Sequence, residues 1–236
     1  MKYGNKTLRH ELKYYINGYE FEKLRRRIRP VAGLDQNSVT EEGYHIRSLY
    51  FDNTFDNAIY DKNAGIYRRD KYRIRIYNKS DRKIKLERKS KYSDYICKES
   101  LELTREEYQK VMARDLEFLK KKDSELARDF YYKCISENMQ PRIIVDYLRE
   151  AYIYELGNVR ITFDKQLAAG VNSMDIFEPQ LVTVNAIHNR TVVLEIKYDD
   201  YLPAHIHSLM QLESHDRSAI SKYVICREEG MRYFKK

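Results

Sequence analysis

The sequence predicts an α+β fold built on about eight β-strands with helices packed over them. Two patterns predict it. Several segments alternate apolar and charged residues with a period of two, as strands with one wet face do. Between them lie stretches with apolar residues at helical spacing and with recognisable caps. Eight strands suit a closed or nearly closed barrel.

The first strand includes Leu8–Tyr14, where Arg9, Glu11 and Lys13 oppose Leu8, His10, Leu12 and Tyr14. Gly18–Arg29 follows as a helix carrying Tyr19, Phe21, Leu24 and Ile28. His45–Asp52 reads as a strand and Thr54–Lys62 as a helix capped by Thr54. In Asp70–Asn78, Lys71, Arg73, Arg75 and Tyr77 alternate with Tyr72, Ile74 and Ile76. In Arg82–Lys91, Lys83, Lys85, Glu87, Lys89 and Lys91 alternate with Ile84 and Leu86. Asp94–Leu103 is the next strand, and Thr104 with Glu107 forms a capping box that opens a helix through Met112. Asp115–Glu137 reads as one long amphipathic helix, followed by strands at Arg142–Ile153 and Val159–Asp164. In Thr191–Asp199, Val192, Leu194 and Ile196 oppose Val193, Glu195 and Lys197. Pro203 suits the first turn of a helix, and Ser218–Tyr233 forms the last one. Eight Gly and four Pro leave no room for a flexible linker, so residues 1–236 read as a single domain.

The 44 Lys and Arg outnumber the 36 Asp and Glu, which favours an anionic partner without choosing one. Cys97, Cys134 and Cys226 form no CxxC pair, which argues against a disulfide framework or a zinc ribbon and for the cell interior. No run of 18 apolar residues and no apolar signal core appears, so the expectation is a chain without a membrane span, located in the cytoplasm. No Gly-x-x-x-x-Gly-Lys loop is present, which excludes a P-loop nucleotide site. His205 and His207 are two apart, a poor spacing for a helical metal pair. The 22 Tyr residues could stack on bases, but packing explains them more simply, which leaves nucleic acid as a disfavoured partner.

The charged strand faces have two possible placements. They can face solvent, as in any antiparallel sheet with one wet side. Alternatively, helices cover the apolar faces and the charged faces turn inward, around a cavity that must hold water, carboxylates or an anion. Alternation is the same in both.

The charged segments also carry a family resemblance. Glu11-Leu12-Lys13 resembles a reduced form of the Glu-x-Glu-x-Lys signature of the triphosphate tunnel metalloenzyme (CYTH) superfamily. After it come YHIRSLYFDN (44–53), YDKNAG (60–65), KYRIRIYN (71–78), LERKSK (86–91), DYLREAY (146–152), VRITFD (159–164), LEIKYD (194–199) and SKY (221–223). Their order and spacing are similar to those of the VTC domain, the polyphosphate-polymerase branch of that superfamily, from about residue 6 to about residue 230. The resemblance implies an eight-stranded antiparallel β-tunnel flanked by helices, with a C-terminal helix closing one mouth. It implies an enzyme that moves the γ-phosphate of a nucleoside triphosphate such as ATP onto a polyphosphate chain. Carried over residue by residue, it gives catalytic roles to Lys13, Arg73, Arg75, Lys89, Arg149, Arg160 and Lys222. It gives phosphate binding to Lys62, Lys71, Lys85, Lys98, Lys197 and Ser221, and assigns Glu195 to a Mn²⁺ or Mg²⁺ ion.

These residue types suit that chemistry. Arg offers a planar fork to two phosphate oxygens and Lys a point charge. Phosphoryl transfer is catalysed mainly by positioning and electrostatic stabilisation. A terminal phosphate oxygen is already ionised near neutral pH and needs no general base, whereas hydrolysis needs a positioned water and more carboxylates to hold metals. The first-strand motif has a single acid, Glu11, which favours a polymerase over a triphosphatase of the same fold. A non-catalytic polyphosphate or inositol-phosphate binding module is the other alternative. Any membrane component receiving the chain would be a separate partner.

Overall fold

The computed structural model describes residues 2–3, 6–92, 95–212 and 215–235. Its strands are β1 (Lys2–Tyr3), β2 (Lys6–Thr7), β3 (Arg9–Asn17), β4 (Gly33–Leu34), β5 (Tyr44–Asp52), β6 (Arg68–Tyr77), β7 (Ser80–Tyr92), β8 (Tyr95–Leu103), β9 (Gln140–Tyr154), β10 (Val159–Gly170), β11 (Thr183–Asn185) and β12 (Thr191–Tyr198). The helices are α1 (Gly18–Ile28), α2 (Asn57–Asn63), α3 (Arg105–Met112), α4 (Glu117–Lys121), α5 (Glu125–Ser136), α6 (Ala204–Met210) and α7 (Lys222–Tyr233). The eight long strands close on themselves in the order β3, β8, β7, β6, β5, β9, β10, β12 and back to β3. Every neighbouring pair in this ring is antiparallel. The fold is therefore α+β with a closed antiparallel β-tunnel, as the sequence predicts.

The ring is tightest between β9 and β10 and weakest at the β3–β8 seam, which has only the Arg9–Ile96 and His10–Tyr95 pairs. Beyond the seam, the segment before α7 lies against the free edge of β3. Tyr14 bridges Arg217, and the Ser218 N–H donates to the Lys13 carbonyl at 2.9 Å.

Alternation sorts the apolar side chains into three cores. On one outer side, Leu49, Ile74, Ile76 and Leu86 lie beneath Tyr108 of α3, Leu119 of α4 and Phe130 of α5. On the other, Ile16, Phe163 and Leu194 pack under Leu24 and Ile28 of α1 and Ile206 and Met210 of α6. The third core lies within the ring. Ile143, Val145 and Tyr147 share a strand face with Arg149, and they pack against Tyr223, Val224 and Cys226 of α7. So α7 plugs part of the tunnel, and the inner wall is apolar there and charged elsewhere.

Several element boundaries differ from expectation. The helix expected from Thr54 starts at Asn57, because the Asn53 carboxamide oxygen takes the Phe55 and Asn57 N–H groups at 3.1 Å and caps the turn first. The long helix expected over 115–137 is two, α4 and α5. Lys122 turns extended, and the Ser124 hydroxyl caps α5 by accepting from the Ala127 N–H at 3.3 Å. The last helix starts at Lys222 with Ser221 as its cap, since Ser218 is committed to β3. The Val159–Asp164 strand continues to Gly170 through a bulge where Gln166 takes φ 54°. The capping box at Thr104 and Glu107 is present, with the Glu107 N–H donating to Thr104 at 3.1 Å. Asp94, the first residue expected of its strand, lies outside the described residues. Among the described residues no helix is long and apolar enough to cross a membrane.

Candidate functional site: a cationic tunnel

A cavity of about 460 Å³ occupies the charged part of the ring, lined by thirteen Lys and Arg and two Glu. The strands deliver its walls by alternation. Lys71, Arg73 and Arg75 come from β6, Lys89 from β7, Lys98 from β8 and Arg149 from β9. Lys13 comes from β3, and Glu195 and Lys197 from β12. Lys62 reaches in from α2, and Ser221 and Lys222 from the start of α7. Two residues expected at the site stand outside this lining. Arg160 is opposite Lys197 in register but binds Asp35 and the Tyr44 hydroxyl, the latter at 2.8 Å. Lys85 is opposite Arg75 and continues the same strand face beyond the cavity.

The sequence reading missed several lining residues. Arg69 and Lys91 share the inward parity of Lys71 and Lys89 and pair with each other in register; Lys91 already belongs to the charged face of its strand, and one more step of alternation before Lys71 finds Arg69. Arg217 arrives on the segment along β3 and carries no pattern of its own. Tyr50, Tyr147 and Tyr223 supply hydroxyls to the wall.

Four carboxylates temper this charge, three of them buried and Glu11 nearly so. Glu87, fully buried, takes Arg73 at 2.6 Å and Lys98 at 3.2 Å, with Arg75 at 3.9 Å. Asp164 takes Arg149 through two hydrogen bonds of 2.6 and 2.8 Å, and Lys222 at 2.6 Å. Glu11 meets Lys89 at 2.7 Å and Lys13 at 3.2 Å, and Glu195 meets Lys197 at 2.5 Å. Burial alone would raise the Glu87 and Glu11 carboxyls, but the surrounding cations hold both far below the usual carboxylate range.

The cations remain in excess: burial holds the Lys89 ammonium well below its ordinary value, and it lowers Lys71 too. Burial pushes the Lys71 ammonium down to about 7, and Lys13, Arg69 and Lys62 push the same way. The Lys71 Nζ donates to the Ser221 hydroxyl at 2.7 Å. An anion in the cavity would restore the charged form, so binding should take up protons at a pH above 7 and not below it. We expect inorganic tripolyphosphate to bind with about one more proton taken up at pH 8 than at pH 6. Calorimetry in buffers of different ionisation enthalpy measures this, and Lys71→Met should remove the increase. An uptake that does not change with pH would mean Lys71 is charged throughout.

A closed antiparallel ring with a cation-rich lumen is the architecture of the triphosphate tunnel (CYTH) class, and this chain has that fold. Within the class, the family model for the VTC domain matches residues 8–229, and the chain belongs to that family. Among solved structures, the chain is similar to a candidate adenylate cyclase from Vibrio parahaemolyticus, with a TM-score of 0.53 and 10% identity over 93% of this chain and 97% of the other. It is also similar to a candidate adenylate cyclase from Bacillus halodurans, with a TM-score of 0.51 and 12% identity over 89% and 90% of the two chains. At these identities the likeness concerns the fold. No curated protein matches the chain.

Proposed function

We propose that this chain is a polyphosphate-polymerase-like phosphotransferase, with a nucleoside triphosphate as donor and polyphosphate as acceptor and product. The observation that carries this reading is the lining itself, in which thirteen Lys and Arg side chains from six strands, α2, α7 and the segment before α7 surround one cavity beside two carboxylates. A linear polyanion matches that distribution, because successive phosphates meet cations from successive strands. In the transfer, a terminal oxygen of the acceptor chain attacks the γ-phosphorus. The bond from that phosphorus to the β,γ-bridging oxygen breaks, and the nucleoside diphosphate leaves with the electron pair. The attacking oxygen is already ionised, so no side chain has to remove a proton. Arg73, Arg75, Arg149 and Lys222 are held by carboxylates before ligand arrives, which favours stabilisation of the loose, charge-rich transition state.

Glu195 and Glu11 fit a Mg²⁺ or Mn²⁺ ion. Such ions are commonly held by one or two carboxylates plus substrate phosphates, and no group of three or more acidic, His or Cys side chains able to hold a metal occurs among the described residues. When bound, the ion would neutralise charge on the phosphate oxygens. The modest carboxylate count favours transfer over hydrolysis. Incubation with ATP and Mn²⁺ should yield long, phosphatase-sensitive phosphate chains. Free phosphate without chains would instead indicate a triphosphatase, and tight binding of polyphosphate or an inositol phosphate with no turnover would indicate a binding module.

A further inference from the structure

All four carboxylate oxygens of Glu11 and Glu195 face lysine ammonium groups. One Glu11 oxygen has Lys89 at 2.7 Å and Lys197 at 3.5 Å, and the other has Lys13 at 3.2 Å and Lys89 at 2.9 Å. One Glu195 oxygen has Lys197 at 2.5 Å, and the other has Lys13 at 3.5 Å and Lys222 at 3.7 Å. These four lysines also line the cavity where a phosphate chain would lie. In the free tunnel the carboxylates therefore serve as stand-ins for phosphate. A divalent cation arriving alone meets four lysine side chains already seated on the carboxylate oxygens and has to displace at least one without any compensating anion. Like-charge repulsion from the charged lysines, Lys13 and Lys222 above all, opposes this at these distances.

We propose that Lys13, Lys89, Lys197 and Lys222 are exchangeable counter-ions that keep the carboxylate pair closed to metal until a polyphosphate anion draws them off, so that metal and anion bind only together. The proposal rests on the reading of Glu11 and Glu195 as the metal-holding pair. Once phosphate oxygens take over the lysines, the freed carboxylates and the phosphates supply the oxygen set that a hard divalent ion prefers. Because coupling is reciprocal, the metal must raise the affinity for the anion by the same factor. Lys13 and Lys71 also hold the segment before α7, through the Ile220 carbonyl at 3.1 Å and the Ser221 hydroxyl at 2.7 Å. Drawing Lys13 toward phosphate would therefore loosen that segment as well.

The test follows the six-line spectrum of free Mn²⁺ by electron paramagnetic resonance. With protein alone, the free signal should persist to millimolar Mn²⁺. With protein saturated by inorganic tripolyphosphate, Mn²⁺ should be held at least about fivefold more tightly than by the same tripolyphosphate without protein. That gain should vanish in Glu11→Gln/Glu195→Gln, a variant whose folding is checked by its melting transition. Tight binding of Mn²⁺ to the wild-type protein alone overturns the proposal, and that measurement needs no variant. A gain that survives in the folded double variant overturns it too, since phosphate alone would then hold the ion. Chain synthesis plays no part in these readouts, so a failed polymerase assay and a failed coupling are separate results.

Discussion

Arg73→Ala is expected to weaken the binding of inorganic tripolyphosphate by about 30-fold or more, since truncating a buried charged contact costs about 2–5 kcal/mol. The size follows from how Arg73 is held. Its Nε and one terminal nitrogen donate to Glu87 at 2.7 and 2.6 Å, and the other terminal nitrogen donates to the Tyr50 hydroxyl at 2.8 Å. Three of five N–H groups are thus spent on fixing the guanidinium plane before any ligand arrives, and two remain for phosphate oxygens. Arg73→Lys should recover only part of the loss, because a lysine ammonium cannot span Glu87, Tyr50 and a phosphate in one plane. Lys85→Ala, which removes a cation from the same sheet face outside the cavity, should change affinity less than about threefold at ordinary ionic strength, where screening weakens distant charges. Titration calorimetry at fixed salt separates these outcomes. Wild-type affinity in a folded Arg73→Ala protein would mean that phosphate does not occupy this cavity.

The strands were legible because alternation is local, and so were α1, α3 and the cap at Thr104. Which way the charged faces point was not legible from alternation, since a wet outer face and a wet lumen demand the same pattern. Closure decides it. The pairings that join β3 to β12 and β5 to β9 link residues far apart in sequence, such as Lys13 with Glu195 and Arg47 with Asp146. The strand count allowed a closed barrel, and the ordered set of charged segments, compared with a family, made the inward-facing tunnel the expectation. The interior core escaped for a different reason. Lys222, Tyr223, Val224 and Cys226 are all buried although they lie around most of a helical turn, so α7 has no clean apolar stripe to announce that it enters the ring. The carboxylates behind the cations were equally hidden. Glu87 reads as one more member of a charged face, and Asp164 reads as a strand terminus until Arg149 and α7 are placed beside it.

Asp164 gives the largest expected loss of stability. It is completely buried, and it ties β9 to α7 by holding Arg149 and Lys222 at once. Asp164→Asn keeps the shape but strips Arg149 of its paired carboxylate and leaves Lys222 only the more distant Glu195 at 3.7 Å. Breaking a buried pair of this kind typically costs about 3–5 kcal/mol. Because Lys222 opens α7, the damage should spread along that helix, and hydrogen exchange should show α7 losing protection before the outer helices do. The same contact has a defined pH signature. Burial would raise the Asp164 carboxyl, but Arg149 and Lys222 hold it below its ordinary value, so the unfolded chain binds its proton more readily than the folded one. Its contribution is therefore fully present above about pH 4, the unfolded carboxyl value, and is lost as the pH falls through the lower folded value. Wild-type protein should lose stability over that acid window more steeply than Asp164→Asn, and chemical denaturation at a series of pH values measures the difference. An added polyanion that binds only the folded chain should raise the variant's stability at neutral pH by about 2.7 kcal/mol at a concentration one hundred times its dissociation constant, by mass action. A variant as stable as the wild type, with α7 equally protected, would show that the plug is held by the packing of Tyr223, Val224 and Cys226 alone.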